Sequence, residues 1–363
     1  MRSSGSRTAI EAALLVNACA LRSCRSMTGP KNLITDVPGV LIGNAHDEKL
    51  ASGVSVALFE EAAVASVAVL GGAPAGRDLE CLEPERSVEC VDAIVLSGGS
   101  GFGLDAASGV QAWLRERGRG FAVRSVRVAI VPQAIVFDLL NGGNKDWGRY
   151  PPYRELGYAA VSVAGSDFAL GTAGGGYGAT TAGLKGGLGS ASFVTASGFT
   201  VGAIVVVNSI SSAVIGGGPH FWAALFEEAE ELGGLGLPPR ITPEMRRLVW
   251  KGTLPPSTTV VLVATDANLS KGQAKRLALT AHGGIAKALR LSHAPTDGDT
   301  VFAAATGRKP LSDEVAGLTE IGAVAADCLA RAIARGVFEA TALPFAGALP
   351  AWRDLFGQNR SAR

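Results

Sequence analysis

PPSTTVVLVATDANLS, residues 255–270, places two prolines directly before a run of β-branched and aliphatic residues. Proline interrupts helices and central strands, whereas Val and Thr favour strands. The stretch therefore predicts a buried strand over TTVVLVATDA, with Thr258 at its first position. Many strands begin with threonine, so turn chemistry is sufficient to explain the pattern. The alternative is that Thr258 is a nucleophile that becomes an N-terminus.

Strands and helices follow one another on both sides of this stretch without strict alternation. The segment 92–118 predicts a strand, a glycine turn and a helix, and 199–215 predicts a strand or hairpin. Separate strands are predicted over SVALFE and ASVAVLGG. The helices predicted by apolar spacing are an amphipathic one over 221–232, one over 269–289 and one over about 313–335. This mixture predicts a layered α/β sandwich.

Composition excludes several classes of protein. Of 363 residues, 47% are hydrophobic and 18% charged, which indicates a well-buried globular enzyme rather than a disordered chain. A net charge of +1 gives no electrostatic reason to expect nucleic acid or an anionic membrane as partner. The cysteines and histidines are scattered, with no CxxC or HExxH spacing, so neither a disulfide framework nor a metal site is expected. No cofactor is predicted.

The first residues require separate treatment. Residues 1–26 contain arginines and a short apolar stretch, but Glu11 and Asn17 interrupt that stretch, which makes a weak signal peptide. Met27 is a second possible start, and we predict an N-terminal extension over 1–31 with the ordered domain beginning near Asn32. No segment reaches the roughly 18 consecutive apolar residues of a membrane helix. We therefore expect a soluble cytoplasmic protein.

Two glycine-rich motifs resemble nucleotide-binding loops. GFGLDA (101–106) fits GxGxxA, but no acidic residue ends the next strand, so tight turn geometry is favoured over a dinucleotide site. GATTAGLKGG (178–187) lacks the Ser or Thr that follows the lysine of a phosphate-binding loop. Lys185 is nevertheless a lone cation in a glycine tract, where backbone can approach a ligand closely. It is either a site residue or a surface lysine.

Three further polar residues allow two or more interpretations each. Asn208 ends the strand GAIVVVNS and either caps a turn or donates to an oxyanion. Asp297 and Asp299, in TDGDT, form a metal-binding turn, a hairpin turn or a pair that orients an amine.

Thr258 has the position that nucleophilic chemistry requires. A threonine hydroxyl needs an adjacent base, and breaking the preceding peptide bond frees its own α-amino group for that role. Such an amine has a pKa near 8, so part of it is neutral at physiological pH. The Gly- and Pro-rich segment 233–257 is typical of an exposed connection that can be cut.

Together these stretches resemble the DmpA-type family of self-processing aminopeptidases, which includes β-peptidyl aminopeptidases and nylon-oligomer (6-aminohexanoate) endo-hydrolases. NLITDVPGV, LSGGSGFGLDAASGV, the glycine tract, VVVNS, STTVVLVATDANLS and TDGDTVFA stand in the family's order. The resemblance implies a four-layer α/β/β/α sandwich and self-cleavage between Ser257 and Thr258. The catalytic domain, 32–363, would then divide into 32–257 and 258–363.

The resemblance also implies roles for individual residues. Thr258 would be the nucleophile, Lys185 and Asn208 the site lysine and asparagine, and Asp297 and Asp299 the acidic pair near the amine. The implied substrates are small peptides, amino-acid amides or oligoamides, without metal or cofactor. The implied assembly is a homo-oligomer of processed pairs, with a tetramer favoured.

Two positions depart from the family pattern. Ser257 stands where close relatives often have asparagine, which bears on the rate of self-cleavage. Gly101 and Phe102 are predicted to bind substrate, but Phe102 replaces a tyrosine of the nylon-oligomer branch, so a phenol is absent. Two alternatives stay open: an acyltransferase of the ornithine-acetyltransferase type, and an unprocessed binding protein.

Overall fold

The computed structural model describes residues 27–252 and 256–357. The strands are β1 (Val40–Asp47), β2 (Ser52–Val69), β3 (Gly76–Arg77), β4 (Cys90–Ser97), β5 (Phe121–Val123), β6 (Val126–Val128), β7 (Gln133–Ile135), β8 (Gly187–Val194), β9 (Thr200–Asn208), β10 (Thr258–Ala267) and β11 (Thr300–Lys309). The helices are α1 (Ser100–Gly103), α2 (Ala106–Glu116), α3 (Tyr153–Ser162), α4 (Lys271–Ala288), α5 (Glu314–Phe338) and α6 (Trp352–Phe356).

Strand β2 is long because it belongs to two halves of one mixed sheet. The strand order is β3-β7-β4-β2-β11-β10-β9-β8, and β1 also pairs with β2. The first part of β2 pairs with β1 and β4, and its last part, from Val64 to Val69, pairs with β11. Between these parts the register with β4 shifts and Glu60 is exposed. Here β2 passes from one half of the sheet to the other.

Three hydrophobic cores separate four layers. One core lies between the β1/β2/β4 half and helices α2 and α3, and includes Val56, Val110 and Tyr153. The middle core lies between the two halves of the sheet and includes Phe59, Leu262 and Phe302. The third lies between β8–β11 and helices α4 and α5, and includes Val261, Val263, Leu277 and Leu329. This order of layers is the α/β/β/α sandwich that was predicted.

The sequence of β10 shows why the strand is buried on both faces. Val260, Leu262 and Ala264 face the middle core, while Val261 and Val263 face helices α4 and α5. Side chains alternate between the two faces of a strand, so a continuous apolar run suits a strand covered on both sides. The predicted strand over TTVVLVATDA is confirmed in full.

The helices predicted over 269–289 and 313–335 are confirmed as α4 and α5. The Ser270 hydroxyl accepts from the backbone N–H of Gln273 at 3.3 Å, and a carboxylate oxygen of Asp313 accepts from that of Ala316 at 2.9 Å. Side-chain caps of this kind satisfy the free N–H groups of a first helical turn and fix where each helix begins.

Two predicted elements were wrong. SVALFE and ASVAVLGG form the single strand β2 instead of two strands. In the predicted helix 221–232, only Trp222–Phe226 forms a short 3₁₀ turn. Ala229 and Glu230 have positive φ angles of 48° and 57°, which an α-helix excludes. Glu231 instead forms a buried ion pair with Arg331 of α5, 2.5 Å from its Nε.

Of the predicted extension 1–31, residues 1–26 lie outside the described residues. Met27 is described, and its carbonyl accepts from the N–H of Val194 in β8 at 2.8 Å. The domain start near Asn32 and the division after Ser257 stay predictions.

Candidate active site

Thr258 lies at the sheet edge where β9 ends and β10 begins. The two strands run antiparallel, and Thr258 is directly opposite Asn208. The Thr258 hydroxyl donates to the carbonyl of Ser257 at 2.5 Å. The N–H of Gly298 donates to the same carbonyl at 2.8 Å. The carbonyl that precedes the candidate nucleophile is thus polarised by two donors, one of which is the nucleophile itself.

Gly298 is required at its position by close approach. A Cβ there would lie 2.8 Å from the Thr258 Oγ1 and 2.9 Å from the carbonyl oxygen of Ala73. Neither contact leaves room for a side chain. A hairpin turn is one structure that the sequence allows for the Asp-Gly pair of TDGDT, but Asp297 lies beside Ser257 in a parallel bridge instead. The glycine therefore brings backbone up to the candidate scissile bond.

Asp299 is a buried carboxylate held by donors on both oxygens. Its Oδ1 accepts from the N–H of Thr259 at 2.9 Å, and its Oδ2 accepts from the N–H of His293 at 2.9 Å. The Nδ1 of His293 also lies 3.0 Å from Oδ2. Since Thr259 follows the candidate nucleophile directly, Asp299 fixes the backbone at the start of β10.

Asp297 has fewer partners than Asp299. Its Oδ2 accepts from the N–H of Ala294 at 3.2 Å, while Oδ1 has no hydrogen bond among the described residues. Burial, and then the nearby charge of Asp299, raise the pKa of Asp297 to about 6. An under-bonded carboxylate beside Ser257 is suited to receive an ammonium group released at Thr258.

Lys185 is buried and forms no ion pair within the described part of the chain. Its Nζ donates to the carbonyls of Gly176, Ala179 and Gly186 at 2.8–3.0 Å. All three ammonium donors are thereby used. Burial lowers the pKa of Lys185 to about 7. The surface-lysine alternative is wrong, because the glycine tract closes around this side chain.

Asn208 joins the lysine side of the site to Thr258. Its Oδ1 accepts from the N–H of Thr180 at 3.0 Å, and Thr180 is bridged to Lys185. Its Nδ2 donates to the carbonyl of Phe137 at 2.9 Å. An amide nitrogen has two hydrogens, so one N–H of Asn208 remains for another acceptor.

A cavity of about 390 Å³ opens beside Asn208. Apolar side chains, including Phe137 and Phe345, supply much of its wall, and the polar lining includes Asp138, Thr180 and Lys251. Pro256, directly before Ser257, also lines it. The cavity therefore borders the acyl side of the Ser257–Thr258 bond.

Asp138 is a second buried carboxyl group, on the wall of this cavity. It accepts from the Ser52 hydroxyl at 2.6 Å and from the N–H of Gly99 at 2.7 Å, and the Tyr153 hydroxyl donates to Ser52 at 3.0 Å. Burial raises the pKa of Asp138. The glycine turn after β4 therefore positions a carboxyl group at the cavity.

Gly101 and Phe102 are the residues predicted to bind substrate. Both belong to α1, Phe102 is 54% exposed, and its ring packs edge-on against Trp147 with centroids 5.3 Å apart. Neither residue lines the cavity beside Asn208. Their predicted contact with substrate stays a prediction.

Among residues 27–252 and 256–357, no group of three or more His, Cys, Asp or Glu side chains is arranged to hold a metal ion. Within the same residues, no helix is both long and apolar enough to span a bilayer.

Comparison with known proteins identifies the family. The sequence profile of peptidase family S58 matches residues 32–348. The chain belongs to peptidase family S58. This membership, which the sequence motifs predicted, makes the chain a hydrolase of peptide or amide bonds.

Individual relatives of this S58 peptidase differ in name. An uncharacterised aminopeptidase of Mycobacterium tuberculosis is 41% identical over 90% of this chain and 98% of its own length. A 6-aminohexanoate-oligomer endohydrolase of Paenarthrobacter ureafaciens is 28% identical over 77% of this chain and 76% of its own.

Solved structures share the fold of this S58 peptidase at lower identity. A β-aminopeptidase of Burkholderia sp. superposes with a TM-score of 0.67 at 24% identity, covering 93% of this chain and 96% of its own. An L-aminopeptidase D-Ala-esterase/amidase of Ochrobactrum anthropi, described as a variant of the Ntn hydrolase fold, gives 0.68 at 21% identity, covering 93% and 96%.

Sequence reasoning missed several residues of the site. The sequence predicts no role for Gly298 beyond a turn, although its position between two acidic residues is a signal for one. Asp138 and Ser52 are far apart in sequence and lie in separate strand-like segments, so no spacing pattern connects them. Lys251 stands in a connection that was predicted to be exposed, and nothing in its neighbours marks it.

Proposed function

We propose that this S58 peptidase cuts itself between Ser257 and Thr258 and then uses Thr258 as nucleophile and base to hydrolyse amide bonds. The observation that carries the proposal is the pair of donors on the Ser257 carbonyl, from the Thr258 hydroxyl and the Gly298 N–H. Substrates of the proposed class are small peptides, amino-acid amides or oligoamides, including 6-aminohexanoate oligomers.

Self-cleavage begins when the Thr258 oxygen attacks the Ser257 carbonyl carbon. An ester forms as the C–N bond breaks, and the hydroxyl proton ends on the released amine. Water then hydrolyses the ester, leaving a carboxylate on Ser257 and an N-terminal Thr258. The Gly298 N–H, already 2.8 Å from the carbonyl oxygen, stabilises the charge that develops there.

Hydrolysis of a substrate follows the same geometry. The free amine of Thr258 takes the hydroxyl proton, the oxygen attacks the substrate carbonyl, and the proton passes to the leaving amine. The unused N–H of Asn208 and the N–H of Gly298, free once Ser257 has moved, donate to the oxyanion. A well-placed donor of this kind lowers the barrier by about 3 kcal/mol. Water then releases the acyl group.

The charged groups around Thr258 adjust the pKa of its amine. A cation at Lys185 lowers the pKa of the Thr258 ammonium, whereas carboxylates at Asp297 and Asp299 raise it. A balance between them keeps part of the amine neutral, as a base requires, while the carboxylates orient it.

Intact-mass analysis of the purified protein tests the first part of this proposal. The expected result is two chains divided after Ser257, a single full-length chain for Thr258→Ala, and two chains for the control Thr258→Ser. A single intact wild-type chain without amidase activity would reject the proposal and favour the alternative of a binding protein.

A substrate panel tests the second part. Amino-acyl p-nitroanilides and 6-aminohexanoate oligomers are incubated with the processed enzyme, with and without an amino-acid acceptor. Release of free acid is expected, and predominant transfer to the acceptor would favour the acyltransferase alternative.

Light scattering tests the proposed homo-oligomer, with a tetramer expected. The prediction of a cytoplasmic protein is kept as part of the proposal.

A further inference from the structure

Lys251 places an ammonium group directly on Asn208, opposite the candidate nucleophile. Its Nζ lies 3.3 Å from both the backbone oxygen and the Oδ1 of Asn208. The main chain holds the residue there, because the N–H of Lys251 donates to the carbonyl of Ile210 at 2.9 Å and Trp250 is bridged to Ser211. The position of the ammonium is therefore set by backbone pairing as well as by the side chain.

The two acceptors of this ammonium are uncharged. Among the described residues, no carboxylate lies within ion-pair distance of the Lys251 Nζ. Asp297 attracts it from further away. An amide oxygen and a backbone carbonyl can bind any primary ammonium that reaches them. Asn208 thus offers a small amine site, and a group of this chain fills it before cleavage.

The location of this amine site matches the acyl side of a substrate. Pro256 precedes the scissile bond and lines the same cavity as Lys251. Asn208 faces Thr258 across the strand pair, so its oxygens lie within a few bonds' reach of a carbonyl attacked by Thr258. A peptide that loses its N-terminal residue carries its ammonium on this acyl side, a few bonds from the scissile carbonyl.

We propose that Lys251 is a specificity-determining residue that occupies the subsite for a substrate's terminal ammonium and competes with it. This inference rests on the proposed function, and it concerns which acyl groups the proposed hydrolase accepts at that same site. Substrates whose acyl side is neutral need not displace Lys251 from Asn208. Substrates with a free amino terminus next to the scissile bond must do so, which raises their KM.

The burial of Lys251 limits the strength of this competition. Burial lowers the pKa of Lys251 to about 7, so at neutral pH part of the protein carries an uncharged amine at this position. An uncharged amine binds the two oxygens more weakly than an ammonium does. Lys251 therefore disfavours amino-terminal substrates without excluding them.

A matched pair of substrates tests the proposal in the processed enzyme. Lys251→Met keeps an unbranched side chain that is one atom shorter and lacks the amine, and Lys251→Arg is the control. For alanine p-nitroanilide, KM is expected to fall about tenfold in Lys251→Met and to stay unchanged or rise in Lys251→Arg. For N-acetylalanine p-nitroanilide, the change is expected to be under about twofold. An unchanged or raised KM for the free-amine substrate would overturn the proposal.

A second measurement needs neither cleavage nor activity. Binding of n-butylammonium is measured by calorimetry in the uncut chains Thr258→Ala and Thr258→Ala/Lys251→Met. The double variant is expected to bind at least about tenfold more tightly, because its amine site is vacant. Equal binding would reject the role of Lys251 and leave the proposed function intact. An uncut, inactive wild type would instead reject the proposed function.

Discussion

Lys185 and the acidic pair Asp297 and Asp299 are buried charges on opposite sides of Thr258, and the backbone satisfies them in opposite senses. Three carbonyl oxygens accept from Lys185, whereas backbone N–H groups donate to the two carboxylates. The lysine and the acids do not form an ion pair with each other. Charges that backbone dipoles solvate stay available to act on a third group, which in the proposed cut chain is the amine of Thr258.

Burial brings the pKa values of Lys185 and Asp297 closer together. It lowers the pKa of Lys185 to about 7 and raises that of Asp297 to about 6. At pH 6 to 7, part of each group is therefore uncharged. An N-terminal amine that acts as a base must also be partly neutral near this pH. The difference between the two sides lies in rigidity, because all three donors of Lys185 are used while one oxygen of Asp297 is not.

The largest effect is expected from adding a methyl group at Gly298, between the two acidic residues. In Gly298→Ala, the new Cβ would lie 2.8 Å from the Thr258 Oγ1 and displace the Ser257 carbonyl from its donor. We expect self-cleavage to stop, with a loss of activity of at least about a thousandfold. Intact mass and amidase assays measure this. The control Gly272→Ala adds a Cβ that meets nothing within 4 Å, and a normally cut Gly298→Ala chain would contradict the prediction.

Removing the cation is expected to cost slightly less. Lys185→Met leaves three carbonyls without their donor and removes the charge that, in the proposed mechanism, lowers the pKa of the Thr258 ammonium. We expect kcat/KM to fall by about a hundred- to a thousandfold, with slower self-cleavage. The variant Lys287→Met, which loses a half-buried ion pair with Asp327 and a cation–π contact with Phe226, is the matched control. A change of less than about threefold would show that the lysine side serves packing alone.

A smaller effect is expected from Asp299→Asn. The new amide keeps an acceptor for the Thr259 N–H but loses the negative charge and the oxygen that accepts from the backbone N–H of His293. We expect kcat/KM to fall by about ten- to a hundredfold while the folded structure is retained. Kinetics measures the loss of activity and circular dichroism checks the fold, with Asp327→Asn, which alters the half-buried ion pair with Lys287, as control. Full activity in Asp299→Asn would mean that its negative charge is not needed.

The smallest expected effect is on stability as a function of pH in the uncut Thr258→Ala chain. A raised folded-state pKa means that Asp297 contributes stability that is lost as pH rises from about 4 to about 6. A lowered pKa means that Lys185 makes the free energy of unfolding rise with pH between about 7 and 10. Each slope is at most about 1.4 kcal/mol per pH unit for one proton.

Urea unfolding at several pH values measures these slopes. Asp297→Asn is expected to reduce the loss of stability between about pH 4 and pH 6, and Lys185→Met to reduce the rise above pH 7. The loss does not vanish in Asp297→Asn because burial also raises the pKa of Asp138. The rise does not vanish in Lys185→Met because burial also lowers the pKa of Lys251. Unaltered slopes in both variants would mean that neither group titrates differently in the folded chain.

The sequence was sufficient to predict the layers but not the detailed connections of the site. Apolar runs such as VVLVA determine burial on both faces of a strand, so β10 and a layered α/β sandwich followed from local pattern. The four-layer α/β/β/α order was implied by the family resemblance. Asp138 reaches the cavity through Ser52 and the turn after β4, contacts that depend on tertiary packing. The helix predicted over 221–232 failed for a similar reason, because Glu231 is held by Arg331 of α5, which lies far away in sequence.

The passage of β2 between both halves of the sheet has a consequence for a chain cut after Ser257. Strands β10 and β11, from the smaller piece, lie between β9 and β2, which belong to the larger one. Dissociation of the smaller piece would break main-chain pairing along both of its flanks at once. A nicked molecule would therefore stay whole until denatured, and its parts, once separated, could reassemble only by inserting two neighbouring strands into an open sheet.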